Sequence, residues 1–128
     1  MLDHIGFPVS DYERSKAFYS AALAPLGIQL LLDMDLSDSG GPGGYAGFGV
    51  SRPQFWIGTG QPLTGRLHVA FAAQDRAQVR AFYEAALAAG ATDNGAPGLR
   101  LHYHANYYGA FVIDPDGHNI EAVSHLPE

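Results

Sequence analysis

Apolar residues alternate with other residues at the beginning of the chain. In the segment LDHIGFPV, Ile5, Phe7 and Val9 occupy every second position, and His4 and Gly6 hold the positions before them. A period of two is typical of a β-strand with one buried face, because successive side chains point to opposite sides of a strand. We therefore predict a strand whose apolar residues enter the core and whose other face carries His4.

The same alternation returns in the second half of the chain. Leu67, Val69 and Phe71 form the apolar set, and His68 lies on the opposite face among small residues. The pattern again predicts a strand that is buried on one side. Both strands thus present a histidine on the face that points away from the core.

Apolar residues at helical spacing follow each of these strands. The first helix is expected to begin with a capping box formed by Ser10 and Glu13. It is expected to end near Pro25 and Gly27, and the second helix near Gly90, because proline and glycine interrupt helices. Each helix should cover the apolar face of the strand that precedes it.

The two halves of the chain are related by a repeat. The helical segments AFYSAAL and AFYEAAL begin at positions 17 and 81, 64 residues apart, and His4 and His68 have the same separation. The chain of 128 residues therefore consists of two copies of one module, at about 1–62 and 63–128, within a single domain.

Each module is predicted to continue with three further strands. Those of the first copy are expected near 28–33, 45–50 and 54–58, and those of the second near 99–104, 107–113 and 118–124. The turn DPDG joins the last two strands, and the segment NGAPG at 94–98 is interpreted as a turn only.

Composition excludes several classes of function. The net charge of −6 argues against nucleic acid as a partner, and the chain has no apolar stretch of the roughly 20 residues that a membrane helix needs. The N-terminal segment lacks the pattern of a signal peptide, so a cytoplasmic location is expected. Because the chain has no cysteine, any metal must be bound by histidine nitrogen and carboxylate oxygen.

These features resemble the vicinal oxygen chelate superfamily. The resemblance lies in the twofold βαβββ pattern, the histidine on the first strand of each copy, and the segment FVIDPDGHNIEAV near the C-terminus. The superfamily includes glyoxalase I, bleomycin-resistance proteins, fosfomycin-resistance enzymes and extradiol dioxygenases. The resemblance covers essentially the whole chain and implies an α+β fold. In that fold the two modules form an eight-stranded, cup-like or barrel-like sheet around a central cavity.

The resemblance also implies a metal site and a partner. Its metal ligands would be His4, His68 and Glu121. Two imidazoles and one carboxylate form a facial triad that binds a divalent ion such as Fe, Mn, Ni or Zn and leaves positions open for a substrate. Two-module members commonly form homodimers, so each site would lie within one chain or between two chains.

One position departs from the four-ligand pattern of glyoxalase I. The repeat places the fourth ligand at Ile57, or at Trp56 if the register shifts by one residue. Neither side chain binds a metal. The chain is therefore closer to the three-ligand members of the superfamily.

Candidate catalytic residues lie between positions 102 and 108. His102 and His104 alternate on a predicted strand and thus face the same way, and together with Tyr108 they are candidates for proton transfer. A solvated strand face is the alternative interpretation of the two histidines. An alternative metal site that contains both histidines together with His68 also remains open.

Aromatic residues supply candidates for substrate binding. Trp56, Tyr103 and Tyr107 are predicted to line a pocket, with an ordinary core position as the alternative. The glycine-rich segment 37–44 is either a lid over that pocket or a connector. His118 follows the DPDG turn and is expected at the surface.

Two functions remain open from the sequence. The first is a metal-dependent enzyme that acts on a small substrate with vicinal oxygens by isomerisation, lyase, ring-cleavage or group-addition chemistry. The alternative is a metal-free protein, like the bleomycin-resistance branch, that sequesters a small aromatic compound.

Overall fold

The computed structural model describes residues 1–36, 43–65 and 67–128. The elements in chain order are β1 (Ile5–Val9), α1 (Tyr12–Leu23), a 3₁₀ turn (Ala24–Leu26), β2 (Gln29–Asp35), β3 (Gly44–Gly49), β4 (Phe55–Thr59), β5 (His68–Ala72), α2 (Arg76–Ala88), β6 (Thr92–Leu99), β7 (Tyr108–Ile113) and β8 (Asn119–Ser124). The predicted α+β fold with two βαβββ units is confirmed.

The strands form two four-stranded mixed sheets. The first sheet has the order β1-β4-β3-β2 and the second has the order β5-β8-β7-β6. In each sheet the first and last strands of the unit are parallel, and the other pairs are antiparallel. The two units are thus copies of one topology, as the repeat in the sequence predicts.

The expected closure of all eight strands into one barrel is not observed. Within the described part of the chain, each sheet keeps its own four strands, and β1 and β5 are edge strands. The two units meet through their helices instead, because α1 contacts α2, and α2 contacts the 3₁₀ turn that follows α1. The backbone groups on the outer sides of β1 and β5 therefore have no described strand beside them.

The core lies between the helices and one face of each sheet. Phe18 and Phe82 occupy equivalent positions of the repeated helical segment, and they are 1% and 0% exposed. Burial of a phenylalanine side chain stabilises a fold by roughly 1.5–3 kcal/mol. The predicted apolar faces of β1 and β5 contribute Phe7, Val9 and Val69 to the same core.

The first helix begins one residue later than the capping box predicts. Its N-cap is Asp11, whose carboxylate accepts a hydrogen bond from the backbone N–H of Arg14 at 3.1 Å. Ser10 does not cap the helix with Glu13, because its hydroxyl and its backbone N–H both donate to Asp116 in the second unit. The predicted capping box is therefore wrong.

Both helices end where glycine is expected to stop them. The first ends at Leu23 and is followed by Gly27 at a φ of +77°, and the second ends at Ala88 and is followed by Gly90 at a φ of +105°. A glycine adopts this left-handed conformation without the steric cost that other residues incur.

The second predicted strand of the second unit is wrong in position. The strand expected near 99–104 is β6, at Thr92–Leu99, and the segment interpreted as a turn lies within it. Gly95 and Pro97 resemble turn residues, but here they lie in a strand at the edge of the sheet, where the register shifts twice. An edge strand tolerates such bulges and the missing N–H of proline.

The DPDG turn between β7 and β8 packs against the first unit. His118 is 1% exposed, and its ring lies edge-on to Phe7 with 5.1 Å between the ring centroids. The prediction that His118 lies at the surface is therefore wrong. The hydroxyl of Tyr19 donates a hydrogen bond to the buried carboxylate of Asp114 at the start of the same turn. This turn therefore joins the two units.

Candidate active site

The side of the second sheet that faces away from its core carries the predicted histidine and carboxylate. Ala70 pairs with Glu121 across β5 and β8, and Phe111 pairs with Glu121 across β7 and β8. Side chains at paired positions point to the same side of a sheet. We call this surface, with His68, Ala70, Gly109, Phe111 and Glu121, the open face of the second sheet.

Glu121 and His68 converge on this open face. The side chain of Glu121 is 1% exposed, and one carboxylate oxygen lies 2.8 Å from Nε2 of His68. The imidazole of His68 is 49% exposed, so solvent and small molecules reach it. A buried carboxylate is costly unless its charge is compensated. The pair thus combines a buried negative charge with an accessible imidazole.

Tyr107 holds the second oxygen of the carboxylate. Its hydroxyl donates a hydrogen bond to Oε2 of Glu121. Burial, followed by this hydrogen bond, raises the pKa of Tyr107 well above its usual value near 10. The hydroxyl therefore stays protonated at neutral pH and acts as a donor to Glu121.

Gly109 provides the space for this arrangement. A Cβ at position 109 would lie 3.1 Å from Oε2 of Glu121 and 3.2 Å from the ring of Tyr107. Such contacts are tighter than those of ordinary side chains. The carboxylate and the phenol thus share a site that only glycine leaves open.

His4 lies apart from this pair. It precedes β1, its side chain is 61% exposed, and its Nδ1 lies 2.8 Å from a carboxylate oxygen of Asp3. His4 and His68 both line a cleft of about 680 Å³, but Glu121 does not. In residues 1–36, 43–65 and 67–128, no three histidine or acidic side chains are placed to hold a metal ion. The chain therefore brings two of the three predicted ligands together.

Strand pairing identifies the counterpart of Glu121 in the first sheet. Gly6 pairs with Trp56 in β1 and β4, just as Ala70 pairs with Glu121 in β5 and β8. Trp56 is thus the structural equivalent of Glu121, and Ile57 is buried in the core. The observed register is therefore the alternative in which the position equivalent to Glu121 is Trp56 and not Ile57.

Trp56 forms an aromatic surface on the first sheet. Its ring lies 6.3 Å from that of Tyr45, and both side chains line a hollow of about 310 Å³. A Cβ at Gly47 would lie 2.9 Å from the indole. The indole therefore occupies space that a side chain at position 47 would fill.

The residues after β6 form turns and not the predicted strand. The N–H of Tyr103 donates to the carbonyl of Arg100 at 2.9 Å, and the N–H of Tyr107 donates to the carbonyl of His104 at 3.3 Å. His102 and His104 are both exposed and do not lie on one strand face. The ring of Tyr103 lies between those of His102 and Tyr107, at 4.1 and 4.7 Å.

His104 forms a pair with His125, for which the sequence suggested no role. Nε2 of His104 lies 2.8 Å from Nδ1 of His125, and Nδ1 of His104 accepts a hydrogen bond from the N–H of Asn106 at 3.1 Å. In the neutral pair, His104 therefore carries its proton on Nε2 and donates it to His125. The ring of Tyr107 lies edge-on to both imidazoles.

Tyr108 lies on the other side of β7. The guanidinium groups of Arg76 and Arg80 lie 5.1 and 5.9 Å from the centre of its ring. Both arginines belong to α2, which covers the core face of the sheet. The structure thus does not bring Tyr108 to His68 and Glu121, and its predicted catalytic role remains untested.

The glycine-rich segment 37–44, predicted as a lid or a connector, lies outside the described residues except for its last two positions.

Comparison with known proteins identifies the family. Residues 1–122 match the sequence profile of the Glyoxalase/Bleomycin resistance protein/Dioxygenase superfamily. The chain belongs to this superfamily. The family assignment that the sequence suggested is therefore confirmed. No curated protein is similar to the chain at a significant level.

Solved structures of the superfamily share the fold. A glyoxalase/bleomycin resistance protein from Albidiferax ferrireducens T118 is 32% identical with a TM-score of 0.79, and the match covers 98% of this chain and 99% of that one. A glyoxalase I mutant from Zea mays is 25% identical with a TM-score of 0.69, over 95% and 46% of the two chains. A mutant of the fosfomycin resistance protein FosX from Listeria monocytogenes, complexed with Mn(II) and 1S,2S-dihydroxypropylphosphonic acid, is 20% identical with a TM-score of 0.72, over 98% and 92%.

Among the described residues, no helix is long and apolar enough to cross a membrane.

Proposed function

We propose that this protein is a divalent-metal-dependent enzyme that acts on a small substrate with two adjacent oxygen atoms. The observation that carries the proposal is the contact between His68 and Glu121, which lie 2.8 Å apart on neighbouring strands of an open sheet face. Imidazole nitrogen and carboxylate oxygen are suitable ligands for Mn, Fe, Ni and Zn.

The surroundings of Glu121 fit a cation. The contacts of its carboxylate are the imidazole of His68 and the hydroxyl of Tyr107, which is neutral at physiological pH. A bound cation would compensate the buried negative charge. Tyr107 fixes one oxygen of the carboxylate, which leaves the other oxygen directed at His68.

The third ligand in this proposal is His4 of a second copy of the chain. Two features support a site between subunits. His4 is exposed just before the edge strand β1, and no strand of the described residues pairs with the outer side of β1 or β5. In a twofold dimer the partner subunit's His4 would complete the triad, and each dimer would contain two such sites.

A metal bound there would act as a Lewis acid that polarises a substrate oxygen. The residues of the chain would position it and its substrate. His68 and Glu121 would hold the ion, and Tyr107 would keep Glu121 in one orientation. His104, which donates to His125, is a candidate for proton transfer, because its ring contacts that of Tyr107, whose hydroxyl donates to Glu121. Isomerisation, lyase chemistry and ring cleavage all remain compatible with this arrangement.

Metal content tests the proposal directly. We expect about one equivalent of a divalent metal per chain in protein purified without a histidine tag, and a loss of that metal in His68→Ala and Glu121→Gln. His102→Ala is the matched control, because His102 is exposed and its ring contacts only Tyr103 among the described aromatic pairs. Absence of metal from the wild type after reconstitution with Mn, Fe, Ni and Zn would refute the proposal.

A metal-free binding protein is the second candidate function. It is favoured by the aromatic surface of Trp56 and Tyr45, which offers an apolar contact in a hollow that no charged residue lines. Trp56 is the single tryptophan of the chain, so its fluorescence reports directly on this surface. Quenching by small aromatic compounds in metal-free protein, together with no effect of His68→Ala on their affinity, would favour this function.

A further inference from the structure

Arg100 lies beside the open face of the second sheet and is held there by its backbone and its side chain. Its N–H donates to the carbonyl of Tyr107 at 2.8 Å, and its Nη2 donates to the carbonyl of Ala96 at 2.8 Å. The guanidinium carbon lies 5.4 Å from the centre of the Phe111 ring. A guanidinium that stacks on an aromatic ring and is held by a hydrogen bond has a fixed orientation.

Phe111 connects this cation to the proposed site. It is the residue opposite Glu121 in the ladder of β7 and β8, and its ring lies 6.1 Å from that of His68. Arg100 thus lies at the edge of the surface on which a substrate of Glu121 and His68 would bind.

Two glycines make room for the guanidinium. A Cβ at Gly98 would lie 3.1 Å from Nη1 of Arg100, and a Cβ at Gly95 would lie 3.2 Å from Nη2. Two glycines of the bulged strand β6 therefore lie against the guanidinium of Arg100. Arg100 follows the irregular strand β6 directly and lies over Phe111 on the open face of the second sheet.

No carboxylate in the described part of the chain forms an ion pair with Arg100. Arg52 and Arg76 form ion pairs with acidic residues, but within residues 1–36, 43–65 and 67–128 Arg100 has no acidic partner within 4.0 Å. The chain has 13 acidic and 7 basic residues, so carboxylates outnumber cations. Even so, no carboxylate of the described residues lies within 4.0 Å of the Arg100 guanidinium. One hydrogen bond to Ala96 leaves further N–H groups of the guanidinium for a ligand.

We infer that Arg100 selects substrates that carry an anionic oxygen group, a carboxylate or a phosphonate, next to the pair of oxygens that the proposed metal would bind. A guanidinium binds such groups through two parallel charge-assisted hydrogen bonds. This inference rests on the proposed function for the position of the substrate. It adds that the substrate is an anion and that Arg100 determines this specificity.

Three compounds that differ only in one group test the inference by calorimetry. They are 3,4-dihydroxybenzoate, its neutral analogue 3,4-dihydroxybenzamide, and 3,4-dihydroxyphenylphosphonate, each titrated into EDTA-treated protein and into protein with added Mn(II). We expect the wild type to bind at least one of the two acids about tenfold more tightly than the amide, and the better acid identifies the anionic group. Arg100→Gln should bind acid and amide equally, and Arg100→Lys should retain part of the preference.

Arg80→Gln is the matched control. Arg80 also places its guanidinium over an aromatic residue of β7, Tyr108, but on the side of the sheet that α2 covers. This variant should keep the full preference for the acids. An equal affinity of the wild type for acids and amide, or a preference that persists in Arg100→Gln, would overturn the inference.

The two proposals fail in different ways in this experiment. Arg100→Gln should bind Mn(II) as the wild type does, because Arg100 contacts neither His68 nor Glu121 through a hydrogen bond. If the wild type binds none of Mn(II), Fe(II), Ni(II) and Zn(II) but EDTA-treated protein still prefers an acid through Arg100, the metal-dependent function is wrong and the preference for anions stands. If Mn(II) binds but the wild type shows no preference for the acids, the metal-dependent function stands and the anion specificity is wrong.

Discussion

The hydroxyl of Tyr19 in the first unit donates a hydrogen bond to the carboxylate of Asp114 in the second, and both side chains are buried. Asp114 also accepts the N–H groups of Asp116 and His118, at 2.9 Å each. One carboxylate thus fixes the DPDG turn and links it to the first helix. Removal of the hydroxyl would leave a buried carboxylate oxygen without its partner.

The repeat provides a matched pair for a test of this link. We expect Tyr19→Phe to lower the free energy of unfolding by about 1–3 kcal/mol, because a buried polar group loses its partner. Tyr83 is the equivalent residue of the second helix, and its hydroxyl donates to Asp93 at 2.9 Å on the exposed surface. Tyr83→Phe should therefore change stability by less than about 0.5 kcal/mol. Urea denaturation measures both, and equal effects would refute a special role of the buried link.

Mixing two inactive variants tests whether the proposed metal site lies between subunits. His4→Ala keeps His68 and Glu121, and Glu121→Gln keeps His4, so each variant alone should lack a complete triad. In a random mixture about half of the dimers contain both variants, and each of these has one intact site. Metal binding should thus return to about one quarter of the wild-type level.

If the site lies within one chain, the mixture should recover no metal binding, because neither of its two chains holds all three ligands. The control is a mixture of His68→Ala with Glu121→Gln. These two residues lie together in one chain, so this mixture should recover no metal in either arrangement. Light scattering on the mixed samples verifies that subunits have paired.

Glycine at position 109 is predicted to be required for the orientation of Glu121. We expect Gly109→Ala to displace the carboxylate or the ring of Tyr107 and to weaken metal binding at least about tenfold, as changes around metal ligands commonly do. Gly58→Ala is the matched control, since the added Cβ would lie 3.5 Å from Tyr45 in ordinary contact. Wild-type metal affinity in Gly109→Ala would show that the space is not needed.

Asp33 should give the protein a stability contribution that is lost in acid. The hydroxyl of Tyr12 and then the ammonium group of Lys16 donate to its carboxylate, and both lower its pKa. A carboxyl whose pKa is lower in the folded than in the unfolded state stabilises the fold above the unfolded value, near 4. The contribution decreases as the pH falls through the folded value.

The measurement is the free energy of unfolding of wild type and Asp33→Asn between about pH 7 and pH 2.5. The difference between them should be constant near neutral pH and shrink below about pH 4. The side chain is 36% exposed, so solvent screening keeps the effect small. A difference that does not vary with pH would refute the assignment.

Local patterns predicted most of the fold. Two local patterns identified the units: the alternation around Ile5 and Val69, and the helical repeat that contains Phe18 and Phe82. Both patterns are visible in the sequence because these residues pack in the core at the period of their own strand or helix. The position of β6 was not predictable in this way. Its glycines and proline have turn chemistry, and only their place at a sheet edge makes them part of a strand.

The candidate site was predicted in part for a similar reason. His68 and Glu121 lie on neighbouring strands of one unit, so the repeat and the family resemblance were sufficient to place them together. The distance of His4 from them depends on how two separate sheets are arranged, which no local pattern encodes. The burial of His118 likewise arises from Phe7, which is distant in sequence.

Equivalent strand positions hold Trp56 in the first sheet and Glu121 in the second. The two halves of this duplicated chain therefore have separate roles. The first sheet presents an aromatic surface without a carboxylate, and the second presents the carboxylate, the imidazole and a nearby guanidinium. Substitutions at Tyr45 or Trp56 therefore change the shape and apolar area offered to a ligand without altering the charges around Glu121. The duplication thus lets ligand shape and site chemistry evolve independently within one gene product.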